Sequence, residues 1–229
     1  MRSAILSIYF LTAIMILSPL SIHAQDWAGL QVFQSKNKHI PTPDKKEKRV
    51  VFMGNSITQG WIETHPEFFA ANHYINRGIS GQTTPQMLVR FRQDVVALKP
   101  AAVVILAGTN DIAGNTGPST LEMIMDNLAS MAEIAAANNI KVILCSVLPA
   151  YEYPWRTGLQ PAEKIVSLNT MIQHYCKQKG FVYLNYHAAL ADEQNGMIQK
   201  FTNDGVHVTS EGYVVMEQMV QQAIRKVLK

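Results

Sequence analysis

The stretch that most constrains this chain is Arg49–Trp61, RVVFMGNSITQGW. Its apolar run Val50–Met53 has strand character, and Gly54-Asn55-Ser56 breaks it abruptly, leading into a turn that ends at Gly60. A strand that stops on glycine and small polar residues brings backbone N–H groups and one hydroxyl to the carboxyl end of a sheet. Open α/β sheets hold their ligands along that edge. Three later stretches gain sense if they converge on Ser56: Asn76-Arg77-Gly78-Ile79-Ser80-Gly81, Gly108-Thr109-Asn110-Asp111 and Asp204-Gly205-Val206-His207.

The rest of the chain alternates strands with helices. Strands are expected at Val50–Met53, Tyr74–Asn76, Ala102–Ala107, Lys141–Val147 and Phe181–Leu184. Their continuous β-branched runs, without polar alternation, suit strands covered on both faces. Between them Met87, Phe91, Val95 and Leu98 mark one helix, stopped by Pro100. Leu121, Ile124, Met125, Leu128, Met131, Ala132 and Ala135 mark another, opened by a capping box at Ser119-Thr120-Leu121-Glu122. Pro161 opens and Gly180 closes a third, and a fourth follows His207 with Met216, Val220, Ile224 and Val227 inward. This order implies a parallel sheet of five strands with helices on both faces and right-handed crossovers. The long irregular stretches Leu148–Gln160 and Asn185–Asn203 both follow strands, so both belong at the edge that holds Ser56.

The start of the chain stands apart. Met1-Arg2, the apolar run Ala4–Leu17 and the small residue Ala24 form a secretory signal peptide over residues 1–24, cleaved after Ala24. Ser18-Pro19 interrupts the run, which argues against a membrane anchor. Residues 25–48 read as an N-terminal arm, with Pro41 and Pro43 excluding regular structure, and 49–229 as one domain. Cleavage lowers Lys+Arg from 20 to 19 against 17 acids, a net charge of +2, too balanced for a nucleic-acid partner. The protein therefore reads as secreted or periplasmic, without stable membrane insertion. The sequence carries no signal of its oligomeric state. Cys145 and Cys176 fit a disulfide or two buried thiols equally well.

Serine is a poor nucleophile until a base takes its proton. Asp204 and His207 supply that base and its orienting carboxylate on one short turn. Donors for a developing oxyanion are at hand in the backbone N–H groups of Ser56 and Gly81 and in the side-chain amide of Asn110. Taken singly, each residue has a plainer explanation: a helix cap, a polar loop histidine, a turn. The inference rests on their coincidence at strand ends. A phosphate cradle at Gly54–Gly60 fits neither a Rossmann glycine pattern nor a P-loop, and Trp61 stands where a lysine is wanted. The seven histidines form no HExxH or His-x-His pattern, so neither a metal nor another cofactor is called for.

From Val50 to its end the chain resembles the SGNH hydrolases, also called the GDSL esterase/lipase family. Gly54-Asn55-Ser56-Ile57-Thr58 resembles the first family block, Asn76–Thr84 the second, Gly108–Asp111 the third and Asp204–His207 the last. The resemblance implies Ser56, Asp204 and His207 as the catalytic triad, with Ser56, Gly81 and Asn110 as the oxyanion hole. It also implies a flavodoxin-like three-layer α/β/α fold, no metal, and ester hydrolysis through an acyl-enzyme. Asn55 replaces the family's usual Asp, which changes local hydrogen bonding without removing a triad member.

For the substrate, the loop Ala150–Arg156 offers Tyr151, Tyr153, Trp155 and Arg156. Tyr153, Trp155, Arg156 and Trp61 are candidates to contact substrate, by stacking on a sugar ring or meeting a carboxylate or hydroxyls; bracing of the loop, and core packing for Trp61 and His65, are the alternatives. The small size and leader resemble secreted bacterial carbohydrate acetylesterases, implying removal of O-acetyl or other short acyl groups from a glycan. Lysophospholipase or acyl-thioesterase action, and non-catalytic glycan binding, are the competing readings; the complete residue set disfavours the last.

Overall fold

A computed structural model describes residues 25–44 and 46–229 of the 229-residue chain; the leader expected at residues 1–24 lies outside them. Five strands form one parallel sheet: β1 (Val50–Gly54), β2 (Tyr74–Gly78), β3 (Ala102–Leu106), β4 (Lys141–Cys145) and β5 (Val182–Leu184), in the order β2-β1-β3-β4-β5. Parallel neighbours need crossover connections, and helices provide them. The crossovers hold α2 (Ser56–Thr64), α3 (Pro66–Ala71), α4 (Thr84–Asp94), α5 (Thr109–Ile112), α6 (Leu121–Ala137) and α7 (Pro161–Lys179); α1 (Gln34–His39) precedes β1, and α8 (Tyr186–Leu190) and α9 (Ser210–Val227) follow β5.

Alternate strand residues face opposite layers, as the period of a strand dictates. Val51, Met53, Val103, Ile105, Val142 and Leu144 pack against α4, α6 and α7. Val50, Phe52, Val104, Leu106, Ile143 and Leu184 pack against α2, α3, α8 and α9. The three-layer α/β expectation therefore holds. In the second layer Phe52, Trp61, Phe68, Phe69 and Tyr213 form an aromatic cluster, with Trp61 stacked between Phe68 and Tyr213 at centroid distances of 5.4 and 5.5 Å.

Three local expectations change, and one open alternative is decided. The turn expected after Gly54 is the first turn of α2, so Ser56 opens a helix. Asn55 explains this: its Oδ1 accepts from the N–H of Ile57 at 3.0 Å, an N-cap that asparagine makes as well as aspartate does. The cap of α6 is Thr120, which accepts from the N–H of Met123, and not Ser119. A reciprocal cap occurs instead at α4, where the Gln86 side chain accepts from the N–H of Thr83. The arm is partly regular, since α1 lies within it. Cys145 and Cys176 are both buried free thiols.

Candidate active site

The sheet register brings the site together. Gly54 pairs with Gly78 of β2 and with Leu106 of β3, so the segments after these three strand ends emerge side by side. Ser56 follows β1, Gly81 follows β2 and Asn110 follows β3. Gly78 has a steric reason: a Cβ there would come 2.2 Å from the backbone nitrogen of Gln59, so α2 could not rest against the end of β2 with any other residue. Gly81 has a conformational one, with φ +76° in the left-handed region.

His207 Nε2 lies 3.1 Å from Ser56 Oγ, and His207 Nδ1 lies 2.6 Å from Asp204 Oδ2. An ionised carboxylate only accepts, so the ring proton belongs on Nδ1 and the Nε2 lone pair faces the serine hydroxyl. The other oxygen of Asp204 accepts from the backbone N–H groups of Val206 (2.9 Å) and His207 (2.7 Å), which fixes the carboxylate within its own turn. Burial pushes the Asp204 carboxyl up, but its hydrogen bonds to the His207 ring and to these N–H groups outweigh that and hold it below the ordinary carboxylate value. Asn110 donates one amide hydrogen to Gln82 O at 2.9 Å, leaving the second for another acceptor, and Asn115 holds Gly81 O at 3.2 Å.

Behind this edge, Arg90 is fully buried and acts as a hub. It donates to Gly54 O, Arg77 O, the Gln82 side chain and Asp94, so one guanidinium joins the ends of β1 and β2 to the loop carrying Gly81. The arm covers the hub. Asn37 donates to Asp94 at 2.7 Å and accepts from Arg77 at 2.6 Å, and the Phe33 ring lies 4.6 Å from the Arg77 guanidinium carbon. Asp111 is likewise buried, which raises its carboxyl to about 6 although three hydrogen bonds from the backbone and hydroxyl of Thr84 oppose the shift.

A second arrangement, absent from the sequence reading, locks α2 to α9. His65 Nδ1 lies 2.6 Å from Glu217 Oε1, and His65 Nε2 lies 2.8 Å from Ser210 Oγ. Trp61 Nε1 donates to the same Glu217 oxygen at 3.1 Å, and Tyr213 donates to Ile57 O at 2.8 Å. Ser56 opens α2 and His207 stands three residues ahead of α9, so this docking sets the span across which they meet. No motif disclosed it, because none of His65, Ser210 and Glu217 sits in a recognisable local pattern.

Two of the expected substrate contacts are corrected. Trp61 is 1% exposed inside the aromatic cluster, and Tyr153 is fully buried, accepting from the Thr109 hydroxyl at 2.9 Å; neither ring can meet a ligand. Arg156 donates to the carbonyls of Ala113 and Gly114, so its Nη1 braces the loop. Trp155 does face outward, 46% exposed, stacked on Tyr153 and with its ring centroid 6.3 Å from that of His207.

Fold and edge together put the chain among three-layer α/β proteins, with a serine hydrogen-bonded to a histidine at the carboxyl end of a strand. The family model described as GDSL-like Lipase/Acylhydrolase matches residues 52–215, and the chain belongs to that family. It is 26% identical over 225 residues to an acetylxylan esterase of Xylanibacter ruminicola, covering 82% of this chain and 45% of the relative. It is 35% identical over 99 residues to Esterase TesA of Pseudomonas aeruginosa, covering 42% of this chain and 48% of the relative. The chain thus spans about half the length of these curated relatives. The crystal structure of a GDSL-like lipase from Bacteroides thetaiotaomicron is similar with a TM-score of 0.85 at 52% identity, over 87% of this chain and 98% of that one.

Proposed function

We propose that this protein is a serine esterase that removes short acyl groups, O-acetyl above all, from a carbohydrate. The observation that carries the reading is the line from Asp204 through His207 to Ser56 Oγ. In the first half-reaction Ser56 Oγ attacks the acyl carbonyl while His207 Nε2 takes the hydroxyl proton. The N–H groups of Ser56 and Gly81 and the free amide hydrogen of Asn110 receive the oxyanion. Collapse breaks the C–O bond to the sugar, His207 returns its proton to the departing alkoxide, and Ser56 is left acylated. Water then repeats the sequence and releases the carboxylic acid. Asp204 stays ionised and steadies the imidazolium formed in each step.

The carbohydrate substrate is supported by the exposed Trp155 face beside His207 and by the likeness to an acetylxylan esterase. Among the described residues no helix is long and apolar enough to cross a membrane. Export rests on the leader read in residues 1–24, and N-terminal sequencing of protein recovered outside the cytoplasm tests it: a chain beginning at Gln25 is expected. The activity is tested with p-nitrophenyl acetate and its longer-chain homologues. Turnover that falls steeply with acyl length is expected; a preference for long chains would move the assignment to lipid or thioester hydrolysis.

A further inference from the structure

Along the sheet edge from Trp155, a cleft of ≈ 470 Å³ is walled by Tyr151, Glu152, Gln160, Glu163, Gln194 and Asn195. Tyr151 is 62% exposed, yet its base is seated firmly: a Cβ on Gly196 would come 3.2 Å from that of Tyr151. Its ring therefore offers an open face on a supported stem. Most of the remaining wall is amides, which donate to and accept from hydroxyls, and carboxylates, which accept from them, and no lysine or arginine lines it. Such a wall repels phosphates and carboxylates. A sugar ring presents an apolar C–H face for an aromatic plane and a hydroxyl rim for amides, and the cleft matches both.

The cleft continues across Asn195 into a second hollow of ≈ 230 Å³, lined mainly by polar residues that include Asn169, Gln173 and Asn185. His187 also lines it and keeps its Nε2 buried without a hydrogen-bond partner. At the other end, Tyr151 and Trp155 are four residues apart, a span of at most ~14 Å. Trp155 lies beside His207, and Asn195 lines both hollows, so the cleft is tied to the serine end through the Tyr151–Trp155 loop.

We propose that this cleft is a subsite for a neutral oligosaccharide, the carrier of the scissile ester; the proposal rests on the esterase reading of Ser56. Xylohexaose and cellohexaose, both unacetylated, would be titrated calorimetrically into the Ser56→Ala protein, which binds without turnover. Saturable binding of at least one is expected, weakened about tenfold when Tyr151→Ala is added, as loss of one aromatic contact implies. Gln194→Ala on the same rim provides a second test, with a smaller loss expected. The proposal is overturned if neither sugar binds, if both added substitutions leave affinity unchanged, or if tetramethylammonium occupies the cleft while the sugars do not. Wild-type hydrolysis of p-nitrophenyl acetate separates the two readings. Turnover without sugar binding sinks the subsite alone, and sugar binding without turnover sinks the esterase alone.

Discussion

The described residues hold a Ser-His-acid line twice, and by distance alone the inner one is the tighter. Ser210 stands 2.8 Å from His65 and Ser56 stands 3.1 Å from His207, while both imidazoles lie 2.6 Å from a carboxylate oxygen. The surroundings separate them. The His207 and Asp204 side chains are 48% and 38% exposed, whereas those of His65 and Glu217 are 11% and 19% exposed. Glu217 also accepts from Trp61, so the inner line is one strut in a packed seam between α2 and α9. The outer line sits where β1, β2 and β3 end, beside Gly81 and Asn110. A serine hydrogen-bonded to a histidine becomes a catalyst only when an electrophile can reach it and when donors await the charge that forms.

Substitutions can pull the two lines apart. The largest effect is expected from Ser56→Ala, which should lower kcat for p-nitrophenyl acetate by about 10⁵-fold with little change in the unfolding midpoint. A variant retaining most of its activity would mean that Ser210 or another group is the nucleophile. Asp204→Asn should cost roughly 10⁴-fold in kcat, because the amide favours the wrong ring tautomer. Glu217→Gln should reverse the pattern. A loss of about 1–3 kcal/mol in stability by chemical denaturation is expected, as for a half-paired buried network, with kcat/KM falling by less than about tenfold.

Acid sharpens the contrast further. The Asp204 carboxyl is held below its ordinary value of 3.8, so its contribution to stability is complete above that pH and is lost as pH falls through the lower folded value. The difference in unfolding midpoint between wild type and Asp204→Asn should be level from neutrality to about pH 4 and shrink below it. A difference that began to shrink near neutrality would show that the His207 pairing does not hold the carboxylate. The smallest effect is expected from Ser210→Ala: about 0.5 kcal/mol or less, and activity within about twofold, since the exposed hydroxyl is replaceable by water at His65.

The outer site was legible because each member sits in a short local pattern: Ser56, Gly81 and Asn110 just past strand ends, Asp204 and His207 on one turn ahead of α9. Ser56, Asp204 and His207 could be named before any fold was known, and the β-branched runs gave all five strands to within a few residues. The helical start at Ser56 was not legible, since Gly54 and Gly60 flank it and glycine counts against a helix. The inner line was invisible for a different reason: His65, Ser210 and Glu217 are joined only by tertiary packing. The aromatic loop shows the limit most directly. Tyr151, Tyr153 and Trp155 alternate in the sequence, yet only the middle ring is buried, because the turn closed by the pairing of Tyr153 with Arg156 decides which ring goes inward. The arm was read as irregular because α1 buries none of its own residues and so leaves no hydrophobic period to detect.

That arm covers Arg77 and the Arg90–Asp94 pair by means of one asparagine and one phenylalanine ring. The groups it covers, Arg77 and Asp94, are themselves buried, so dissolved salt screens these contacts little, whereas urea competes directly for the amide hydrogen bonds. The segment should therefore peel away first in denaturant while staying indifferent to ionic strength. Once it lifts, water reaches two guanidinium groups that together anchor the floor beneath Gly81. A protease cut or a bulky fusion near Asn37 would then act as a remote brake on the serine, with every residue of the outer line still in place.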